Sequence, residues 1–125
     1  ENASYPVGIC AERVLLASAA SLYPNIAIDT IAISYHNING VSSHPISPCG
    51  MCRQSLVEYE ERVKQPIRLI LSGMDGKVIV VEKANLLLPL SFGSIDLKQS
   101  LHAICDLTFM LQQPFFTPQI TTITY

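Results

Sequence analysis

The sequence predicts an α/β fold, a layered sandwich in which helices flank a mixed β-sheet. Three observations lead there. Segments of helical and of strand character alternate through the first half of the chain. An Asp75-Gly76 hairpin signal then adds a returning strand. The length, 125 residues, is that of a single domain. Hydrophobic residues make up 49% and charged residues 14%, which excludes a chain left disordered for want of apolar groups. The net charge of −2, with no Lys/Arg cluster, argues against a basic face that grips nucleic acid. The apolar runs are short of the ~20 residues that span a bilayer, so no membrane partner is expected. Low charge combined with high apolar content suggests burial in an oligomer.

Residues 1–7 end in a Pro-Val-Gly turn signal. Residues 10–22, rich in Ala and Leu, read as a mostly buried helix stopped by Tyr23-Pro24-Asn25. Residues 26–35 carry Ile26, Ile28, Ile31 and Ile33 and read as a largely buried strand. A polar loop, 36–48, leads to a second helix over 49–64. Leu56, Val57, Tyr59 and Val63 give that helix its apolar stripe, with Glu58, Glu60, Glu61 and Arg62 assigned largely to water. Pro66 ends it, and strands are expected over 67–72 and 77–82. Residues 86–93 are an irregular apolar segment, 97–111 read as a helix, and 120–125 are β-prone.

The four cysteines are Cys10, Cys49, Cys52 and Cys105. Cys49 and Cys52 form a C-x-x-C pair, which by itself is compatible with zinc, with redox chemistry or with ordinary thiols. The loop before it, rich in Asn, Ser, Gly and Pro, is unlike the strand that precedes a thioredoxin-type motif. Cys10-Ala11-Glu12 opens one helix and Pro48-Cys49-x-x-Cys52 another, with a strand between. If the two helices lie side by side on the sheet, their starts meet and three sulfurs can reach one ion. Three protein ligands leave one tetrahedral position for water, the arrangement of a catalytic zinc. In a first helical turn, Glu12 can fold around the helix end to serve as a proton carrier. Taken singly, His36, His44, His102 and Cys105 read as ordinary structural residues.

Around these signatures the chain resembles the zinc-dependent cytidine deaminases, in their small, three-cysteine, homotetrameric form. The resemblance rests on Glu1-Asn2-Ala3-Ser4-Tyr5, Cys10-Ala11-Glu12-Arg13, Pro48-Cys49-Gly50-Met51-Cys52-Arg53-Gln54 and Leu87-Leu88-Pro89-Leu90-Ser91-Phe92. It implies a cytidine-deaminase-like sandwich with a catalytic domain over 1–97, N-terminally incomplete, followed by a helix and tail of unassigned role over 98–125. It implies one Zn²⁺ per chain on Cys10, Cys49 and Cys52, with Glu12 moving protons between the attacking water, pyrimidine N3 and the departing amine. The Ala11 N–H would bind the base O2, the Ser47 carbonyl would face the amine, and Glu1 would hold the ribose hydroxyls. Phe92 would pack on the base from a neighbouring subunit. Arg13 would support the cysteine sulfurs by hydrogen bonding and so offset the charge of three thiolates. The implied activity is hydrolytic deamination of cytidine and deoxycytidine in cytoplasmic pyrimidine salvage. The alternatives are a related deaminase, such as one acting on blasticidin S, and a non-catalytic domain folded around zinc.

Overall fold

The computed structural model describes residues 2–97. Its contacts divide the chain into two units, 1–93 and 94–125, and the first carries every element below. A 3₁₀ turn at Tyr5–Val7 precedes helix α1 (Ala11–Leu22), strand β1 (Thr30–Ile33) and helix α2 (Gly50–Val63). Strands β2 (Arg68–Leu71) and β3 (Ile79–Val81) follow, and then a 3₁₀ turn at Ala84–Leu87. The sheet order is β1-β2-β3, with β1 parallel and β3 antiparallel to β2. The expected α/β sandwich with a mixed sheet is therefore the observed one. The expected helix over 97–111, the stretch 120–125 and the segment 98–125 lie outside the described residues.

The parallel β1–β2 pair needs a crossover, and α2 supplies it. Leu56, Tyr59 and Leu16 meet Ile31, Ile67, Leu69, Leu71 and Ala84 in one buried cluster. The helices thus occupy a common sheet face, bound by burial of apolar area. Helix α1 is less covered than its composition suggests. Leu16 is its buried residue, whereas Val14 and Leu15 remain 49% and 47% exposed. A single stripe suffices to dock α1 on α2 and the sheet, so its second apolar face stays at the surface of the unit.

Strand β1 is shorter than the sequence suggests. The carbonyl of Ile26 is taken by the Tyr59 hydroxyl at 2.9 Å, which anchors the entry to the strand without a ladder bond. Beyond the strand the chain leaves the sheet to dock against the β2–β3 connection. Met74 N donates to Ser42 O at 2.7 Å and Ile46 N to Ser72 O at 3.4 Å. These bonds also explain why the β2–β3 connection is longer than residues 73–76, the turn left between the two expected strands. Residues 72–78 intervene, and 72–74 are engaged by the loop. A Cβ at Gly73 would stand 2.1 Å from Ser42 O, so the close approach demands glycine there. Gly76 takes a φ of 92°, open to glycine without strain.

Glu60, expected on the solvated side of α2, is instead buried, and the reason is visible in its partners. Its Oε1 accepts the Ile67 N–H at 2.6 Å and the Ala84 N–H at 2.8 Å. Its Oε2 accepts the Asn85 N–H at 3.1 Å. One carboxylate thereby satisfies the entry to β2 and the first amides of the second 3₁₀ turn, groups that would otherwise be buried without partners. Replacing it by alanine orphans all three. Glu60→Ala should lower unfolding free energy by about 2–4 kcal/mol, read as a fall in urea midpoint. Glu60→Gln, which keeps an acceptor oxygen, should lie between it and the wild type.

Candidate metal centre

Both helices begin in the same way. Cys10 is the N-cap of α1 at φ −62°, ψ 146°, and Cys49 is the N-cap of α2 at φ −68°, ψ 170°. An N-cap in extended geometry turns its side chain back over the first turn, where oxygen side chains ordinarily satisfy the free amides. Here the atom delivered is sulfur, twice. Cys52 is the third residue of α2, completely buried against the core. Cys10 Sγ stands 3.8 Å from Cys49 Sγ, and Cys49 Sγ 3.5 Å from Cys52 Sγ. All three sulfurs lie within 4.8 Å of one another.

These spacings can be tested against an ion. Zn–S bonds of ~2.3 Å in a tetrahedron put the sulfurs roughly 3.8 Å apart. The two shorter separations match that value, and none of the three cysteines is disulfide-bonded. The donor set of three soft sulfurs suits zinc and leaves a fourth position open. Burial grades across the site: Cys52 is buried, Cys10 half-buried and Cys49 exposed. The open side therefore faces solvent.

The thiols are unequal. The Cys49 pKa is lowered, first by the backbone N–H of Cys52 and then by the Cys52 side chain. That N–H belongs to the start of α2, whose amides face the Cys49 sulfur, although Cys49 makes no side-chain capping hydrogen bond. The Cys52 pKa is strongly raised, first by burial, then by hydrogen bonding to the other thiols and by the nearby negative charge of Glu12. A centre with two such thiols holds both as thiolates only with a cation between them.

Glu12 is thus brought near the sulfurs, in the first turn of α1. With Ala11 it also lines a cavity of about 350 Å³ shared with Ile31, Ala32, Ser34 and Ile46. Cys10 borders a second cavity of about 620 Å³ with Asn2, Ala3, Tyr5 and Gly8. Space for a small molecule therefore exists on either side of the Cys10–Glu12 segment. Arg13 does not hydrogen-bond a cysteine. Its guanidinium donates to Met51 Sδ at 3.9 Å. Ser47 is exposed just before buried Pro48, and Phe92 is 56% exposed. Glu1 lies outside the described residues.

Two residues escaped the sequence reading except as letters of a motif. Arg53 donates to Pro48 O at 2.9 Å, to Ser47 Oγ at 3.0 Å and to Leu87 O at 3.3 Å. Gln54 Nε2 donates to Phe92 O at 2.6 Å. A polar pair near the start of a helix is usually solvated, and two of its four partners here, Leu87 and Phe92, lie far away in sequence. The one available signal was their place directly after Cys52.

The fold and the three-sulfur centre define an α/β domain built to hold a metal, and comparison with known proteins gives it a family. Residues 1–66 match the cytidine and deoxycytidylate deaminase zinc-binding region. With more than half of its length matched, the chain belongs to that family. It is 39% identical over 59 residues to a cytidine deaminase of Mycoplasma pneumoniae, covering 47% of this chain and 41% of that one. It is 42% identical over 62 residues to a cytidine deaminase of Mycoplasma genitalium, covering 50% and 44%. The matches thus span about two-fifths of the length of these curated relatives. Among solved structures, a cytidine deaminase from Burkholderia pseudomallei aligns with a TM-score of 0.58 at 36% identity. That alignment covers 74% of this chain and 66% of that one. Among the described residues, no helix is long and apolar enough to cross a membrane.

The unequal thiols predict a labelling order. In metal-free, reduced protein near neutral pH, iodoacetamide should modify Cys49 well before Cys52. Cys49 is exposed and its pKa lies below the ordinary thiol value, so it supplies thiolate at lower pH. Cys52 is buried with a raised pKa and should react only as the protein opens. Zinc should slow both. Peptide mapping by mass spectrometry at timed intervals reads the order, and equal rates would contradict it.

Proposed function

We propose that this chain is part of a zinc-dependent enzyme that deaminates cytidine and deoxycytidine to the corresponding uracil nucleosides and ammonia. The observation that carries the reading is the convergence of Cys10, Cys49 and Cys52, with the charge of Glu12 near them. Family membership and relatives named cytidine deaminase support the choice of substrate.

Zinc bound by the three thiolates would supply Lewis acidity, allowing water to act as a nucleophile near neutral pH. Glu12 takes one proton of the attacking water and delivers it to pyrimidine N3; it then takes the second from the hydroxyl added at C4 and passes it to the amine, so that the C4–N bond breaks as the carbonyl forms. Its place in the first turn of α1 keeps it two residues from Cys10 at the start of the same helix. Ala11, the first residue of α1, offers a backbone N–H to the base O2, because the first amides of a helix have no intrahelical partner. The Ser47 carbonyl faces the amine, and Glu1, on sequence grounds alone, holds the ribose hydroxyls.

The same reading makes the working protein a homotetramer whose sites are shared. Val14, Leu15 and Leu22 leave an apolar face of α1 exposed, and Phe92 projects from the surface, as suits an aromatic lent to the base in a neighbouring site. A reducing compartment, the cytoplasm, fits a centre that needs three free thiols. Arg13, within the same first turn, would offset thiolate charge from a distance rather than by a hydrogen bond.

The test is direct. Zinc per chain is measured on purified protein, and loss of cytidine absorbance is followed. Glu12→Gln should retain zinc and lose at least about a thousandfold in kcat, since it removes the proton carrier. Undiminished turnover in that variant would end the assignment of Glu12. Zinc-loaded wild-type protein that leaves cytidine unchanged would favour a domain merely folded around its metal.

A further inference from the structure

Arg53 and Gln54 hold two other segments of the chain from one turn of α2. Arg53 spans Ser47 and Pro48, immediately before the first sulfur of that helix, and Leu87 at the start of the 87–92 segment. Gln54 holds the other end of the segment through Phe92 O, 38 residues away in sequence. Further along the helix, a Cβ at Gly93 would come 2.8 Å from the Glu61 carboxylate, so the chain lies close against α2 there too. Phe92, by contrast, is 56% exposed and has little burial of its own to fix its direction. Its backbone is held while its ring is presented.

We propose that Gln54 is a positioning residue for Phe92. By donating to the Phe92 carbonyl it aims an aromatic ring that serves a neighbouring chain's substrate site, while Arg53 ties the same segment to the wall of its own chain's metal centre. This rests on the deaminase reading above and deepens it. The residue that follows Arg53 on the metal-binding helix of one subunit sets substrate affinity in the next. A side chain that merely braced the fold would alter stability without acting on a partner's KM.

The experiment uses zinc-loaded full-length chain and steady-state cytidine kinetics. Gln54→Glu is isosteric but has no N–H to donate, and Gln54→Met removes the donor without adding charge. Either should raise KM about tenfold with kcat within about twofold, the loss expected for one hydrogen bond that orders a binding group. Zinc content and thermal midpoint should be unchanged. Subunit mixing then locates the effect. Gln54→Glu subunits, which keep Glu12, are co-assembled with Glu12→Gln subunits, which keep Gln54 and a well-placed Phe92. Sites pairing the intact Glu12 of one with the Phe92 of the other should recover the wild-type KM. Wild-type KM in both Gln54 variants overturns the proposal, as does a raised KM that mixing leaves untouched. A zinc-loaded wild-type chain that never deaminates cytidine overturns the functional reading, and this proposal with it, before any variant is compared.

Discussion

Two helices start within sulfur-contact distance of each other, and nearly everything else in the unit serves that meeting. Cysteine is a poor helix cap, so neither N-cap is explained by helix stability alone. The starts coincide because α1 and α2 lie on one sheet face, joined through Leu16, Leu56 and Tyr59 to Ile31 and Leu69. The parallel β1–β2 pair brings the chain back through α2, and the loop leaving β1 delivers Pro48 and Cys49 at the carboxyl end of the strands. That end is where open α/β sheets place their ligands. Moving α2 out of this packing would separate the sulfurs before it exposed much of the core.

The electrostatics of the centre follow from where each sulfur sits. The Cys49 thiol pKa is lowered below its ordinary value, first by the Cys52 backbone, whereas Cys52, three residues on, is closed off by the core and is pushed well above it. Glu12 adds negative charge to the same small volume, which makes a second thiolate harder still to form. Such a cluster is unbalanced on its own, because helix N-termini contribute only about half a charge each. A divalent cation corrects the imbalance and reverses the preference of the buried thiol. The chain has placed its donors where they are unfavourable together until a metal joins them.

The sequence makes the chemistry plainer than the shape. Cys10-Ala11-Glu12 and Pro48-x-x-x-Cys52 announce both helix starts and their ligands, since short motifs at helix ends depend on local geometry. The mixed sheet is legible from the order of helical and strand segments. What stays hidden depends on partners remote in sequence. Nothing in the run Glu58-Tyr59-Glu60-Glu61-Arg62 marks Glu60 as the acid that turns inward, because its amides come from Ile67, Ala84 and Asn85. Asp75-Gly76 looks like a tight hairpin because the competing demand of the 36–48 loop on residues 72–74 is invisible locally. Arg13 looks like the arginine for the sulfurs, while Arg53 is the one bonded to the Ser47-Pro48 segment before Cys49 and to Leu87. Two arginines in similar first-turn settings are separated only by what lies across from them.

Helix α2 carries these duties in a fixed order. Its sulfurs come first, then the donors Arg53 and Gln54, then the core residues Leu56, Val57 and Tyr59, and finally the buried carboxylate of Glu60. Because a helix is stiff along its axis, its far end helps set the position of its start. Cys52 and Glu60 are about 12 Å apart along that axis, and a slip of one residue would move the sulfurs by about 1.5 Å, too far for a tetrahedral ion to keep its bonds. Three amides on Glu60 oppose such a slip at one end, and Arg53 opposes it near the other. A carboxylate two turns along the helix from Cys52 is therefore part of what keeps the sulfurs in register.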